Sequence, residues 1–422
     1  MITRLRKWIH LLAFTGMAQV AVQAIGFVSG ILIVRLLPLH EYALYTLANS
    51  LLGAMTILAD GGVANGVMAE GGKVWQDKRK LGGVLATGFL LRRKQVVFSL
   101  LVVVPALFYM LQKHNASWLM SALVVLSLIP VFISTLSGAL LQIPLKLHQD
   151  IKPLQQYQVE ANLVRLGLSA LTVFIYPFAS LAILCSGTGQ FWNNWRLRKR
   201  SAQYTENVIK NDPATHQAIL AMTRRAMPLA IFYIITGQAS IWLLTMFATT
   251  ESVAHQGAIS RFAAVLMLTS TIYSVLITPR FSRLSRDNSQ LLSIYIGIHF
   301  SLLLVLAATL FFSWSLGGVA LSILGPEYEE LRPEFFLAMT GAMLSIMTDI
   351  GSGVNSGRGY VFRPVAYIPL MLLLLAILIF VFPTNTLMGV LLINLIYRSA
   401  TCLLTFAYGA YRLRNDPGVP IA

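Results

Sequence analysis

The chain has 422 residues, of which 56% are hydrophobic and only 11% are charged, and its formal net charge is +16. A soluble protein of this size carries roughly a quarter charged residues, so the composition excludes an ordinary soluble domain and indicates that lipid is the main solvent. The positive charge does not indicate a nucleic-acid-binding protein, because Lys and Arg stand mostly beside apolar segments, where membrane topology accounts for them.

Long apolar segments alternate with short polar connections along the chain. A membrane-spanning helix needs about 20 apolar residues. On that measure the sequence predicts twelve spans, at 11–37, 42–68, 95–112, 117–143, 154–176, 178–195, 225–248, 254–279, 291–316, 334–357, 364–383 and 387–411. The first span is too long for the apolar core of a signal peptide. The segment 81–91, before the third span, is expected to lie along the membrane surface as an amphipathic helix.

Lys and Arg cluster in every second connection, beginning with Arg4, Arg6 and Lys7, and most of the 32 basic residues fall in these connections. Connections rich in Lys and Arg stay in the cytoplasm. An even number of spans returns the chain to the side on which it began. The pattern therefore predicts a multi-pass membrane protein with both termini in the cytoplasm.

The longest interior polar stretch divides the twelve spans into two sets of six. Parallel repeats of this kind are a known plan among transporters. The sequence thus predicts an all-α integral membrane protein of two pseudo-symmetric six-helix lobes around a cleft. The N-terminal lobe is expected at 1–195, a cytoplasmic linker at 196–224 and the C-terminal lobe at 225–422.

Two arginines lie at bilayer depth, one in each expected lobe. Arg165 stands about eleven residues into the fifth span, roughly 16 Å along a helix, and Arg398 lies at a similar depth in the twelfth. Asn162 lies on the same helical face as Arg165, and Asn394 lies on the same face as Arg398. Ionisable residues at this depth usually face a bundle interior or a wet cavity. They predict a cationic lining for an anionic substrate. Alternatively each Arg pairs locally, Arg165 with Glu160, and locks helices together.

Three further polar residues are candidates for the lining. Asn49 belongs to a polar stripe on the second span, and Gln23 lies on a face of small and amide residues on the first, for which close helix packing is the alternative. Arg261 lies about two turns into the eighth span, from which it either lines the cleft or extends to the outer surface.

The acids deepest in the spans are Asp60 and Asp349. A carboxylate in a cavity of low dielectric has a raised pKa, so either acid is a candidate to carry a coupling proton or to bind Na⁺. For Asp60 the alternative is a role in ending its helix, because Gly61 and Gly62 follow at once.

The sequence contains no nucleotide-binding loop, metal-ligand cluster or pair of nucleophile and base. The glycine-rich segment Gly351–Gly359 has no P-loop Gly-Lys-Ser/Thr, and a flexible cytoplasmic turn is expected there. Cys185 and Cys402 are expected to pack within spans. Neither catalytic residues nor a cofactor are therefore predicted.

Two segments resemble a known family. Residues 35–45 read Arg-Leu-Leu-Pro-Leu-His-Glu-Tyr-Ala-Leu-Tyr, and residues 59–62 read Ala-Asp-Gly-Gly. They resemble the opening of polysaccharide transporter flippases, in the multidrug/oligosaccharidyl-lipid/polysaccharide exporter superfamily, although Ala43 and Gly61 replace the usual Gly and Leu. Residues 324–328, Leu-Gly-Pro-Glu-Tyr, are similar to a second motif of that family, before its tenth helix.

The resemblance implies a flippase of the bacterial inner membrane. Its substrate would be an oligosaccharide unit linked to undecaprenyl pyrophosphate, for O-antigen, capsule or a related glycan, moved by alternating access from the cytoplasmic to the periplasmic leaflet. Other polysaccharide assembly proteins are further expected partners, and H⁺ or Na⁺ is the expected coupling ion.

Three alternatives stay open at this point. A lipid II flippase shares the same chemistry. A cation-coupled multidrug exporter of the superfamily would be expected to have an acidic cavity. A membrane polysaccharide polymerase or ligase would usually carry a large outer loop with catalytic Arg or His, whereas the longest expected outer loop, near 317–333, has no His.

Overall fold

The computed structural model describes residues 2–206, 213–284 and 290–415. Within these ranges the chain is built from α-helices, joined by a π-helical turn at Tyr273–Ile277 and a 3-10 turn at Pro326–Tyr328, and contains no β-strand. The prediction of an all-α chain is confirmed.

The chain divides into two compact units, Met1–Met246 and Phe247–Ala422. The helices of the first unit are α1 Ile2–Leu36, α2 Leu39–Asp60, α3 Val63–Val74, α4 Lys78–Lys113, α5 Trp118–Leu141, α6 Ile143–Leu147, α7 Ile151–Ile175, α8 Ala179–Ser201 and α9 Pro213–Phe247. Those of the second unit are α10 Thr250–Ile272, α11 Thr278–Arg283, α12 Leu291–Leu324, α13 Arg332–Ser356, α14 Pro364–Val381 and α15 Leu387–Asn415.

Helix α9 belongs by its contacts to the first unit, although it begins within the expected linker at 196–224. The division into contact units therefore falls later in the chain than the expected division into lobes at 1–195 and 225–422. The lobes were defined by membrane topology, and as a topological division they stay a prediction.

Helices occupy all twelve predicted spans. In the described part of the chain, ten helical segments are long and apolar enough to cross a membrane by length and composition. The helices at the sixth and eighth predicted spans, α8 and α10, are not among these ten, and both carry polar residues within the predicted span, such as Asn193 and His255.

The second predicted span is interrupted after Asp60. Gly61 and Gly62 have φ of +46° and +96°, a conformation that residues with a Cβ rarely adopt. Helix α9 packs directly on the interruption, since a Cβ at Gly62 would lie 2.8 Å from the Cβ of Ala226. The expected continuation of this span to residue 68 is therefore wrong, and the chain starts the separate helix α3 at Val63.

The expected surface helix at 81–91 and the third span at 95–112 form one helix, α4, of 36 residues. Asp77 begins it, because its Oδ1 accepts hydrogen bonds from the backbone N–H groups of Arg79 (3.0 Å) and Lys80 (3.1 Å). The expectation of a separate surface helix is wrong because its apolar stripe, including Leu85 and Leu91, packs in a protein core with Val67 of α3.

Helix α8 packs between α5 and α7 at glycine positions. A Cβ at Gly187 would lie 3.1 Å from the Cβ of Val131 in α5, and a Cβ at Gly189 would clash with the backbone O of Ala161 in α7. Asn194 of α8 donates hydrogen bonds to the backbone O (2.7 Å) and Oγ (2.9 Å) of Ser134. Small residues and interhelical hydrogen bonds are the usual means of helix association in lipid.

The core of the second unit centres on Tyr295 of α12, which is fully buried. Its ring stacks on Phe406 of α15, with centroids 5.8 Å apart, and its hydroxyl lies 3.3 Å from the backbone O of Phe406. A Cβ at Gly409 would clash with that hydroxyl and with Asn355. Glycine at this position therefore lets α15 approach α12 and α13.

Candidate functional site

Arg165 lies on α7 where α1 and α8 come close. Its Nη2 lies 3.3 Å from the position that a Cβ would take at Gly26 of α1, and its Cβ lies 3.2 Å from the same position at Gly189 of α8. The two glycines leave room for the arginine, which stays half-buried. At the bilayer depth that the sequence predicts for Arg165, a guanidinium needs polar groups or water around it.

Polar side chains form a row on the α7 face that carries Arg165. Gln19 of α1 donates hydrogen bonds from Nε2 to the Oε1 atoms of Gln155 (3.0 Å) and Gln158 (3.3 Å), and Asn162 donates from Nδ2 to the backbone O of Gln158 (2.8 Å). These residues are three or four positions apart, so they share one helical face. The predicted polar face of α7 thus lies toward α1.

Glu160, the residue with which Arg165 was alternatively expected to pair, binds two residues of α8. Its Oε2 accepts a hydrogen bond from Trp192 Nε1 (3.2 Å), and its Oε1 lies 3.3 Å from Nη2 of Arg196. Glu160 therefore links α7 to α8.

The other predicted lining residues of the first unit lie on α1 and α2. Gln23 is half-buried on α1, one turn beyond Gln19. Asn49 donates from Nδ2 to the backbone O of Tyr45 (2.8 Å), within its own helix. In the second unit, Arg261 is half-buried on α10.

Helices α13 and α15 bring together three predicted residues of the second unit. Arg398 of α15 lies near enough to Asp349 of α13 to attract its carboxylate electrostatically. Asn394, one turn before Arg398, places its Oδ1 3.1 Å from the position that a Cβ would take at Gly341 of α13. Because Asp349 is exposed on its unit, a proton or Na⁺ that reaches it must compete with the nearby guanidinium.

Asp60 is the last residue of α2, as a helix-ending role requires. Its Oδ1 accepts hydrogen bonds from the backbone N–H of Ala64 (3.3 Å) and from Arg92, with which it forms an ion pair. Asp60 also lines an open cavity of about 560 Å³ within the first unit, together with Asn65 and Tyr233. In this conformation its charge is balanced by Arg92, so its candidate role in ion coupling requires the pair to separate.

Arg92 is a buried arginine that sequence reasoning missed. With Arg93 and Lys94 it stands just before the third predicted span, in a connection whose positive charge predicts a cytoplasmic location. Its side chain is nevertheless only 3% exposed, and its Nη1 donates a hydrogen bond to the backbone O of Leu136 (2.5 Å). The available signal was its spacing, since Leu81, Leu85 and Arg92 recur at helical intervals on one buried face.

The segment Gly351–Gly359 is not the flexible turn that was expected. Helix α13 continues to Ser356, and only the residues after it turn. Gly351 lies in a close helix contact, 3.2 Å from Thr405 Cγ2 at its Cβ position, and Arg358 donates from both Nη atoms to the backbone O of Leu284 (3.3 and 3.1 Å). Gly351 therefore serves helix packing, which glycine-rich composition alone does not distinguish from a loop.

Solved structures with the same fold are transporters and flippases. An inward-facing multidrug resistance MATE family transporter of the MOP superfamily aligns with a TM-score of 0.70 and 12% identity, covering 96% of this chain and all of the other. The lipid II flippase MurJ in an inward closed conformation aligns with a TM-score of 0.73 and 10% identity, over 95% of this chain and 87% of that one. The Vibrio cholerae MATE transporter VcmN in the bent form gives 0.56 and 15% identity, over 97% of each.

No protein-family model and no curated protein sequence matches the chain. At these identities the structural likeness shows the fold alone. The chain is an all-helical, multi-pass membrane protein with a MOP-like fold.

Proposed function

We propose that this protein is a bacterial inner-membrane flippase that moves an oligosaccharide linked to undecaprenyl pyrophosphate from the cytoplasmic to the periplasmic leaflet by alternating access. The observation that carries the proposal is one arginine at expected bilayer depth in each unit, each beside an asparagine on the same helical face: Arg165 with Asn162, and Arg398 with Asn394. The resemblance of residues 35–45 and 59–62 to polysaccharide transporters supports the same choice.

The chemistry of such a substrate fits these residues. A pyrophosphate and its sugars cannot cross hydrocarbon unaided, whereas the prenyl chain can stay in lipid. Arginine binds phosphate oxygens through two parallel hydrogen bonds, which makes it better suited than lysine to hold a pyrophosphate. Asn162, Asn394 and, in the first unit, Asn49 and Gln23 would offer amide groups to sugar hydroxyls. Arg261 would add a third cation.

Coupling to H⁺ or Na⁺ is assigned in this proposal to Asp349. When the carboxylate is ionised it attracts Arg398, and when it takes up a proton or Na⁺ that attraction weakens. Uptake of the ion would therefore free Arg398 for the pyrophosphate, and its release would favour release of the substrate. Asp60 is the second candidate, provided that its pair with Arg92 opens.

The proposal is tested by lipid flipping in proteoliposomes that contain a polyprenyl pyrophosphate oligosaccharide. We expect Arg165→Gln and Arg398→Gln each to lower the flipping rate roughly ten- to a hundredfold, because each removes a charge-assisted contact of about 1.5–3 kcal/mol. Arg93→Gln, an exposed cation on α4, is the matched control and should leave the rate unchanged.

The same proteoliposomes distinguish the alternatives. Flipping of lipid II but not of other glycan-lipids would replace the proposed substrate by lipid II. Ion-driven uptake of an organic cation without lipid flipping would identify a multidrug exporter. Unchanged rates in both arginine variants, with wild-type flipping intact, would remove the cationic lining while leaving the assignment as a flippase.

A further inference from the structure

The C-terminal half of α8 exposes a stripe that the proposed function does not use. Trp192, Trp195, Arg198 and Lys199 are exposed, whereas Leu197 between them is buried. Trp195 follows Trp192 by three residues, and Arg198 and Lys199 follow Trp195 by three and four, so all four lie on one side of the helix. We call these four residues the interfacial stripe.

The aromatic part of the interfacial stripe is held in place. The rings of Trp192 and Trp195 lie 5.4 Å apart, and Trp192 is fixed to Glu160 by its indole N–H. The ammonium of Lys199 lies 4.5 Å above the Trp195 ring. Trp192 and Trp195 are still 39% and 50% exposed. The two rings are therefore held in place and remain accessible from outside the protein.

Two described acids near the stripe, Glu160 and Asp150, pair with other cations of α8. Arg196 is paired with Glu160, and Arg200 is paired with Asp150 at 2.6 Å. Burial of Asp150 opposes its ionisation, but hydrogen bonds from Arg200 and Tyr204 outweigh it and hold the pKa of this carboxyl below its usual range. Glu160 and Asp150 therefore form ion pairs with cations that are not part of the stripe.

Over the described ranges of the chain, no carboxylate lies within salt-bridge distance of Arg198 or Lys199. Among the four cations at the end of α8, Arg198 and Lys199 are thus the two available to an anion from outside the protein.

From this arrangement we infer that the interfacial stripe is a binding site for an anionic phospholipid. Exposed tryptophans of membrane proteins lie at the level of the lipid headgroups, and adjacent Lys and Arg bind anionic headgroups on the cytoplasmic side. The phosphate would lie between Lys199 and Arg198, with the acyl chains against Trp195 and Trp192. Lys199 is already oriented by the Trp195 ring, so little side-chain freedom is lost on binding.

The cations of the stripe lie away from the proposed substrate lining, because Arg198 is nine residues, or roughly 14 Å of helix, beyond Gly189, the residue of α8 that contacts Arg165. The inference therefore stands apart from the proposed flippase activity. If the stripe binds as inferred, anionic phospholipid is enriched around α8 relative to the surrounding membrane.

The test uses the full chain in nanodiscs of zwitterionic lipid, titrated with phosphatidylglycerol that carries brominated acyl chains, which quench nearby tryptophan fluorescence. Wild type, the double variant Arg198→Gln/Lys199→Gln and the matched double variant Arg93→Gln/Lys94→Gln on α4 are compared. The variant Trp195→Phe identifies the part of the fluorescence signal that comes from the stripe. Brominated phosphatidylcholine, which has no net charge, measures the quenching that occurs without recognition of an anionic headgroup.

We expect saturable quenching by the anionic lipid that depends on Trp195. Each cation near a membrane surface contributes about fivefold, so the stripe double variant should bind roughly 25-fold more weakly, while the α4 variant should keep the wild-type affinity. Equal losses of lipid affinity in the two double variants would show that any surface cation has the same effect, and would overturn the inference. Equal quenching by brominated phosphatidylcholine would overturn it as well.

Discussion

Glu41 is buried, at 8% exposure, although it belongs to the polar turn that opens α2. Its Oε2 accepts a hydrogen bond of 2.7 Å from the backbone N–H of Ala179, the first residue of α8. The first N–H groups of a helix have no partner within it and carry partial positive charge, so a carboxylate there is favourable. This explains why the motif at residues 35–45 contains a glutamate, followed by the fully buried Tyr42.

Replacing Glu41 should therefore weaken the first unit. We expect Glu41→Leu to lower the stability of the purified protein by about 1–2 kcal/mol, because the N-terminus of α8 loses its acceptor. Glu41→Gln keeps an acceptor oxygen and should cost less. The measurement is thermal unfolding in detergent, with the exposed Glu251→Leu, in the first turn of α10, as control. Equal shifts for Glu41→Leu and Glu251→Leu would contradict this role.

At the scale of elements, packing rather than hydropathy explains the position of α8. It is less apolar than the ten span-like helices, yet it is enclosed by α5 and α7 through Gly187, Gly189 and Asn194. Helices in lipid gain little from hydrophobic burial against one another, so close backbone approach and interhelical hydrogen bonds hold them together. A single added methyl group should therefore separate α8 from α7.

Two glycine positions allow a matched comparison. Gly189→Ala puts a Cβ against the backbone O of Ala161, whereas Gly167 of α7 has no atom within 4 Å of its Cβ position. We expect Gly189→Ala to destabilise the protein by about 1–3 kcal/mol through overpacking. Gly167→Ala should be neutral or stabilising by up to about 1 kcal/mol, because alanine is the better helix former. Thermal unfolding measures the stability of both variants. A Gly189→Ala variant as stable as wild type would contradict the close contact between α8 and α7.

At the scale of the whole molecule, the distribution of basic residues predicts which connections share a side of the membrane. Arg79 and Arg198 are expected in the cytoplasm, and Trp118, which is 73% exposed at the start of α5, is expected outside. Helices lie at all twelve predicted spans, and ten helical segments of the described chain are long and apolar enough to cross a membrane. The orientation itself stays a prediction.

Cysteine labelling in intact cells tests the orientation. With Cys185 and Cys402 replaced by serine, we expect a membrane-impermeant maleimide to label Trp118→Cys but not Arg79→Cys or Arg198→Cys. Permeabilised cells should label all three, which controls for local accessibility. Labelling of Arg79→Cys and Arg198→Cys on opposite sides would overturn the topology, and with it the proposed flippase mechanism.

The sequence by itself determined the membrane class, the helical class and the approximate place of the helices at the predicted spans. These properties follow from the length and apolar composition of segments, which are local. The end of α2 has a local signal, because Gly61 and Gly62 follow Asp60. The continuous helix α4 depends on a neighbour, because α3 covers its apolar stripe. No property of residues 81–112 taken alone contains that contact.

Only the tertiary structure decided which polar residues meet. Arg92 stands in the sequence as one of three adjacent cations, whereas the packing of α2 against α4 places it beside Asp60. The packing of α7 against α8 places Glu160 beside Arg196. The pairing of charges depends on distances between residues tens of positions apart in the chain. Those distances are set by the packing of helices, which periodicity and composition do not encode.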